Sequence, residues 1–166
     1  GELYLTDVIG KAVARGLPCT AVRCAERETL GVNSRVELMQ AEKEFQNLRR
    51  TEALEDGVTM PAPETVHFSY DTVIGRDTII EQNVVFGPGV TVESGAQIRA
   101  FSHLEGAHVS RGCIIGPYAR LRPGAELAED VKIGNFVEIK ASALEEGAKV
   151  NHLSYIGDAH IGARAN

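Results

Sequence analysis

From Ile74 onwards, aliphatic residues return along the chain at a nearly fixed interval. The series is Ile74, Ile80, Phe86, Val92, Ile98, Leu104, Val109, Ile115, Leu121, Leu127, Ile133, Ile139, Leu144, Val150, Ile156 and Ile161. Its steps are six residues, except for fives at 104 to 109, 139 to 144 and 156 to 161. A helix repeats near 3.6 residues and a strand at 2, so neither sets this interval. Four places after each large residue stands a small or β-branched one, from Thr78 and Val84 through to Ser154 and Ala165. Only His108 and His160 break that rule, and both fall in five-residue steps.

A short fixed repeat marks a solenoid, whose stacked rungs share one continuous core. The pattern predicts a mainly β chain over about 74–166, each hexad giving a short strand and a corner. The large residue fills the interior and the small one fits the bend. On this count His108 and His160 also face inward, as structural corner residues.

Residues 1–57 follow ordinary helix and strand periods. "TDVIGKAVARG" predicts a helix with Thr6 or Asp7 as N-cap and Gly16 as stop. "LPCTAVRCA" reads as a short strand. "NSRVELMQAEKEFQNLRRTEALEDG" predicts a second helix, with Ser34 and Glu37 as capping box, Leu38, Ala41, Phe45 and Leu48 as apolar stripe, and Gly57 as end. These elements are too few to enclose a core, so the chain divides into 1–57, a small α/β piece with a linker helix, and 58–166, the coil.

Composition narrows the function classes. Hydrophobic residues make up 43% but aromatics only 5%, with no Trp, which suits a thin repetitive core. A net charge of −6 argues against general affinity for nucleic acid or for an anionic membrane. No apolar run approaches the ~20 residues of a membrane span, and no signal-peptide pattern opens the chain. Cys19, Cys24 and Cys113 have no metal-ligand spacing, and Cys113 falls in a small-residue slot, so it reads as packing. A reducing cytoplasm is the expected location.

Candidate chemistry follows from the rungs. With three hexads per coil, residues 18 apart stack on successive rungs, and Arg122 and Lys140 have that spacing. Each follows the large residue of its hexad, so both point outward on one face. Two stacked cations suit a phosphomonoester between them, with Gly157 leaving room one rung on. On spacing alone a solvated charged face, with Glu105 pairing Arg122, is the favoured reading. His152 is a candidate proton acceptor or an ordinary surface histidine. Tyr155 is a candidate hydroxyl donor or a packed corner residue. His103, His108 and His160 raise a zinc reading, but they form no three-histidine set on one outward face, so no metal ligands are expected.

The hexads match the left-handed parallel β-helix acyltransferases. "GPYARLRPGAEL", "IGNFVEIK" and "HLSYIGDA", with "GELYLTD" and "GVNSRVEL" before them, resemble, in the same order, one bacterial family. These are the bifunctional N-acetylglucosamine-1-phosphate uridyltransferase / glucosamine-1-phosphate acetyltransferases. The resemblance implies a left-handed coil, with 1–57 as the end of the uridyltransferase module. It implies acetyl transfer from acetyl-CoA to glucosamine 1-phosphate, then uridylyl transfer from UTP with magnesium, making UDP-N-acetylglucosamine for peptidoglycan and lipopolysaccharide. It also implies His152 as general base, Arg122 and Lys140 on the phosphate, Tyr155 and Asn166 on the sugar, and a homotrimer with sites between subunits. Asn151 and Ser154 stand where the family usually has Gly and Thr, and Leu3 where it has Tyr. The nucleotide and magnesium residues and most of the acetyl-CoA site are expected outside this chain, so the chain by itself is expected to be inactive. The competing expectation is a non-catalytic module that trimerises or binds a sugar phosphate.

Overall fold

Alternation inside each hexad makes the strands: Thr78 and Ile80 point inward while Ile79 between them is 41% exposed. The computed structural model describes residues 4–166, so the Gly1–Leu3 part of the "GELYLTD" resemblance lies outside the described residues. The strands of the coil run from Val73 to Ile161, and all their pairings are parallel. On one face Val73 pairs with Thr91, Thr91 with His108, His108 with Glu126, Glu126 with Ala143 and Ala143 with His160. Ile79, Gln97, Ile114, Lys132 and Lys149 pair along a second face. Val85, His103, Arg120, Glu138 and Tyr155 pair along the third. The chain is a parallel β-helix of hexapeptide repeats.

The large residues form the predicted core. Ile80, Phe86, Ile98, Leu104, Ile115, Leu121, Ile133 and Ile139 are all at 0% exposure. Ile74, Ile156 and Ile161, near the ends of the series, are only partly buried. The coil begins before the six-residue count does. Val58, Met60, Val66 and Phe68 are buried, and Thr59 and His67 bridge to Ile79 and Val85.

From Asp77 on, a residue of positive φ stands just before each small inward residue, as at Asp77 (61°), Asn83 (57°) and Gly89 (74°). At the five-residue steps this corner residue (Gly106, Ala141 or Asp158) arrives one place sooner. The inward slot then passes to Ala107, Ser142 and Ala159. His108 and His160 therefore face outward, contrary to the sequence expectation, with side chains 42% and 65% exposed. His108 donates from Nε2 to Glu93 Oε1 at 3.0 Å, and Glu93 Oε2 accepts the Arg111 N–H. Glu145 repeats the arrangement with His160 at 2.7 Å and the Ala163 N–H.

The chain divides into two units, Gly1–Ala41 and Glu42–Asn166. In the first, α1 spans Asp7–Ala14 from an N-cap at Thr6, and the Leu17 N–H closes on Ala12 O around Gly16 (φ 68°). The expected strand at 17–25 does not form. That segment is exposed and joins no sheet, so its backbone faces water rather than a ladder. Helix α2 (Arg35–Glu55) starts with Ser34 Oγ accepting the Glu37 N–H and Glu37 accepting the Asn33 N–H.

The expected stripe on α2 is not its packing face, since Leu38 and Leu48 are 56% and 48% exposed. Its one buried residue is Gln46, which donates to Phe68 O at 2.6 Å and accepts the Phe68 N–H at 2.9 Å. Arg50 donates to Val66 O and Arg49 to Thr72 O. The first turn of the coil presents open backbone groups, and polar side chains satisfy them where apolar ones cannot.

Gln46→Ala leaves both Phe68 groups without these partners and should cost about 2 kcal/mol in urea unfolding. An unchanged midpoint would show that the helix does not cap the coil. A second expectation concerns acid. The His108 and His160 bonds hold the Glu93 and Glu145 carboxyls below their ordinary 4.5. The folded chain therefore binds these protons more weakly than the unfolded chain. Their stabilisation is full above about pH 4.5 and is lost as pH falls through the lowered values. Melts across that range should show Glu93→Gln and Glu145→Gln flattening the acid slope.

Candidate functional site

Register places the predicted cations. Arg120 pairs with Glu138 and Leu121 with Ile139, which sets Arg122 opposite Lys140 on the next rung. Lys140 in turn pairs with Gly157. The three form one outward column on the third face, as their spacing predicted.

Arg122 Nη1 lies 2.8 Å from Glu138 Oε1, both side chains being 37% exposed. The carboxylate on Arg122 is therefore Glu138 from the following rung, not Glu105 from the preceding one. The sequence reading passed over Glu138, although its place two residues before Lys140 puts it on the same side of the strand. Among the described residues Lys140 makes no ion pair. At the end of the column, Tyr155 and Gly157 share a side of their strand, and a Cβ added at Gly157 would fall on the Tyr155 hydroxyl. The phenol thus lies over Gly157, next to Lys140.

His152 sits on the same strand, Lys149–Gly157, opposite Asn135 on the strand Lys132–Lys140. The adjoining corner is built from Phe101, Tyr118, Phe136 and Leu153, all with positive φ. The first three stack, with ring centroids 4.9 and 5.2 Å apart. Ser154 Oγ donates to the His152 carbonyl at 2.9 Å, and the His152 side chain is exposed. His152 and Asn166 line one hollow of about 410 Å³, together with Asn151, Ser154 and the apolar Val150, Ile156 and Ile161. In that hollow Asn151 Nδ2 donates to Asn166 Oδ1 at 2.7 Å. Arg122, Lys140 and Tyr155 thus share one face, and His152 and Asn166 share the hollow on the strand that carries Tyr155.

The other candidates go elsewhere. Among the described residues no group of three or more His, Cys, Asp or Glu could hold a metal ion. His103 pairs with Arg120, while His108 and His160 bond glutamates. Cys113 is fully buried, and burial pushes its thiol up to about 12. No helix among the described residues is long and apolar enough to cross a membrane.

A family model described as bacterial transferase hexapeptide (six repeats) matches residues 71–106 and 106–141. The chain is 65% identical over 166 residues to the bifunctional protein GlmU of Jannaschia sp. (strain CCS1). It is 66% identical to that of Roseobacter denitrificans and 68% identical to that of Ruegeria sp. (strain TM1040). Each match covers all of this chain and 37% of the relative, so the chain spans little over a third of the relatives it matches. Among solved structures, the acetyltransferase domain of PglB from Neisseria gonorrhoeae FA1090, in complex with acetyl coenzyme A, aligns with a TM-score of 0.54. That match is 16% identical, covers 68% of this chain and 60% of that one, and bears on fold alone.

Gly157 lies outside the positive-φ region, so Gly157→Ala should fold normally while pushing the phenol aside. The expected result is an unchanged melt with displaced Tyr155 ring resonances. Unmoved ring resonances would contradict this packing.

Proposed function

The chain belongs to the hexapeptide-repeat transferases and is homologous to part of the bifunctional GlmU proteins, and on that premise we propose that it carries the acceptor-sugar side of a glucosamine-1-phosphate N-acetyltransferase site. The observation that carries this reading is the in-register column of Arg122, Lys140 and Gly157 beneath the Tyr155 hydroxyl. Adjacent rungs lie about 4.8 Å apart, and two cations that close repel unless an anion answers them. Glu138 answers Arg122 in part, which leaves Lys140 to a ligand. A phosphomonoester suits both, with a guanidinium fork on two oxygens and an ammonium as a point charge.

With the phosphate at this column, the sugar extends along the strand towards His152. Tyr155 and His152 are three residues apart, at most about 10 Å along the backbone. The imidazole takes a proton from the sugar ammonium. The freed amine attacks the thioester carbonyl of acetyl-CoA; a C–N bond forms, the C–S bond breaks, and the coenzyme leaves as a thiolate that takes up a proton. Tyr155 and Asn166 orient the sugar.

The wider reading is that the N-acetylated product goes on to uridylyl transfer from UTP in the longer protein, yielding UDP-N-acetylglucosamine for peptidoglycan and lipopolysaccharide. Magnesium would serve that step, and the described residues offer no set to hold it. A cytoplasmic homotrimer, with sites between subunits, completes the proposal.

Titration of glucosamine 1-phosphate against glucosamine tests the clamp. Lys140→Ala should weaken the phosphorylated sugar by about tenfold or more, as expected for a charge-assisted bond, and leave glucosamine nearly unchanged. Equal losses for both ligands would remove the phosphate role.

A further inference from the structure

After Ile79, the exposed large hydrophobic residues of the coil are Phe101, Tyr118, Phe136, Leu153 and Tyr155. Tyr155 belongs to the site already described. The other four are between 46% and 75% exposed and stand one per rung on a single corner, each at positive φ. Three of them stack into a ridge along the coil. Asn83 fills the same corner one rung earlier, so the left-handed backbone does not itself call for a ring there.

This corner separates two faces that carry opposite charges at matching heights. On the turn holding Phe101, Arg99 precedes the corner and Glu105 follows it. On the turn holding Phe136, Lys132 precedes it and Glu138 follows. Arg99 and Glu105 make no ion pair among the described residues. On the turn between, Ile114 and Gly116 precede the corner, and Arg120 and Arg122 follow.

A rotation about an axis parallel to the coil leaves every residue at its own height. It lays the face after the corner of one copy on the face before the corner of the next. Glu105 then meets the partner's Arg99, and Glu138 meets the partner's Lys132. Arg122 meets only Ile114 and Gly116, which leaves room for an anion. The ridge itself lies beside Ala100, Pro117 and Gly134, which offer little side chain. A ladder of side chains about 4.8 Å apart is matched by a second ladder of the same pitch, which another copy of this coil supplies.

We propose that the Phe101–Tyr118–Phe136 ridge and its two flanking faces are the contact between copies of this chain, and that the partner's face closes one side of the Arg122–Lys140 column. This inference rests on the homotrimer with sites between subunits proposed above, and assigns the surface that forms it. The two patches in contact differ, so the contact is heterologous and closes as a ring.

Sedimentation equilibrium of the 166-residue chain tests this and should return the mass of three copies. Phe136→Asn removes a ring but keeps a residue type that tolerates left-handed φ, so it should give single chains with an unchanged circular dichroism spectrum. Arg99→Glu and Glu105→Arg should each weaken association by about tenfold or more. Combined, they reverse the pair and should recover the three-copy mass.

A mass of one or two copies for the unsubstituted chain overturns the proposal. So does a three-copy mass that survives Phe136→Asn and Tyr118→Asn together, since another surface then holds the copies. If each charge variant dissociates and the reversed pair does not reassemble, the facing of these two faces falls. Titration with glucosamine 1-phosphate separates this result from the functional reading. A ridge-dependent trimer that binds no sugar phosphate keeps the interface and removes the acceptor site. A monomer whose binding of the sugar phosphate depends on Lys140 does the reverse.

Discussion

Parallel backbone pairing between successive rungs is the constraint on which the rest of this molecule depends. Each short strand bonds the strands one rung before and after it, 17 or 18 residues away, as in the series Thr91, His108, Glu126 and Ala143. Two-residue strands have almost no stability of their own. Stacked along three faces, they bury a column of single aliphatic residues, and each rung covers its neighbours' interior. The ladder also fixes which side chains meet, because residues on one column are held about 4.8 Å apart.

Corners are where that constraint strains the chain. Every turn of the coil needs residues in the left-handed region, and several positions are not glycine. Phe101, Tyr118 and Phe136 adopt φ of 61°, 55° and 55°, at roughly 1–2 kcal/mol each. Their rings stack on one another, and each such contact returns about 0.5–1.5 kcal/mol. The shortened steps are accommodated at one corner column, and glutamates bond the histidines that emerge beside it. Helix α2 meets a related need at the first rung, using Gln46, Arg49 and Arg50 on open backbone groups.

The site grows out of the same ladder. No loop brings its groups together: Arg122, Lys140 and Gly157 meet because register repeats, and Tyr155 folds over Gly157 because alternate residues share a side. Glu138 belongs to this face too, so the column presents one paired and one unpaired cation. That asymmetry leaves the unanswered positive charge of the column at Lys140. His152, just before a left-handed corner residue, stands at the edge of the face where the coil turns.

Period alone was enough to separate inside from outside for nearly every hexad, to outline the core from Ile80 to Val150, and to make Arg122 and Lys140 neighbours. A translational repeat converts residue number into position with little freedom. Three things needed the folded chain. A one-residue deletion can in principle fall anywhere in a hexad, and only the early left-handed residues at Gly106, Ala141 and Asp158 turned His108 and His160 outward. Apolar spacing on α2 pointed to Leu38 and Leu48, because backbone demand at the first rung leaves no mark in a hydrophobic pattern, and Gln46 answered it instead. The bond from Asn151 to Asn166 and the phenol over Gly157 depend on side-chain direction across and along rungs, which a repeat count does not carry.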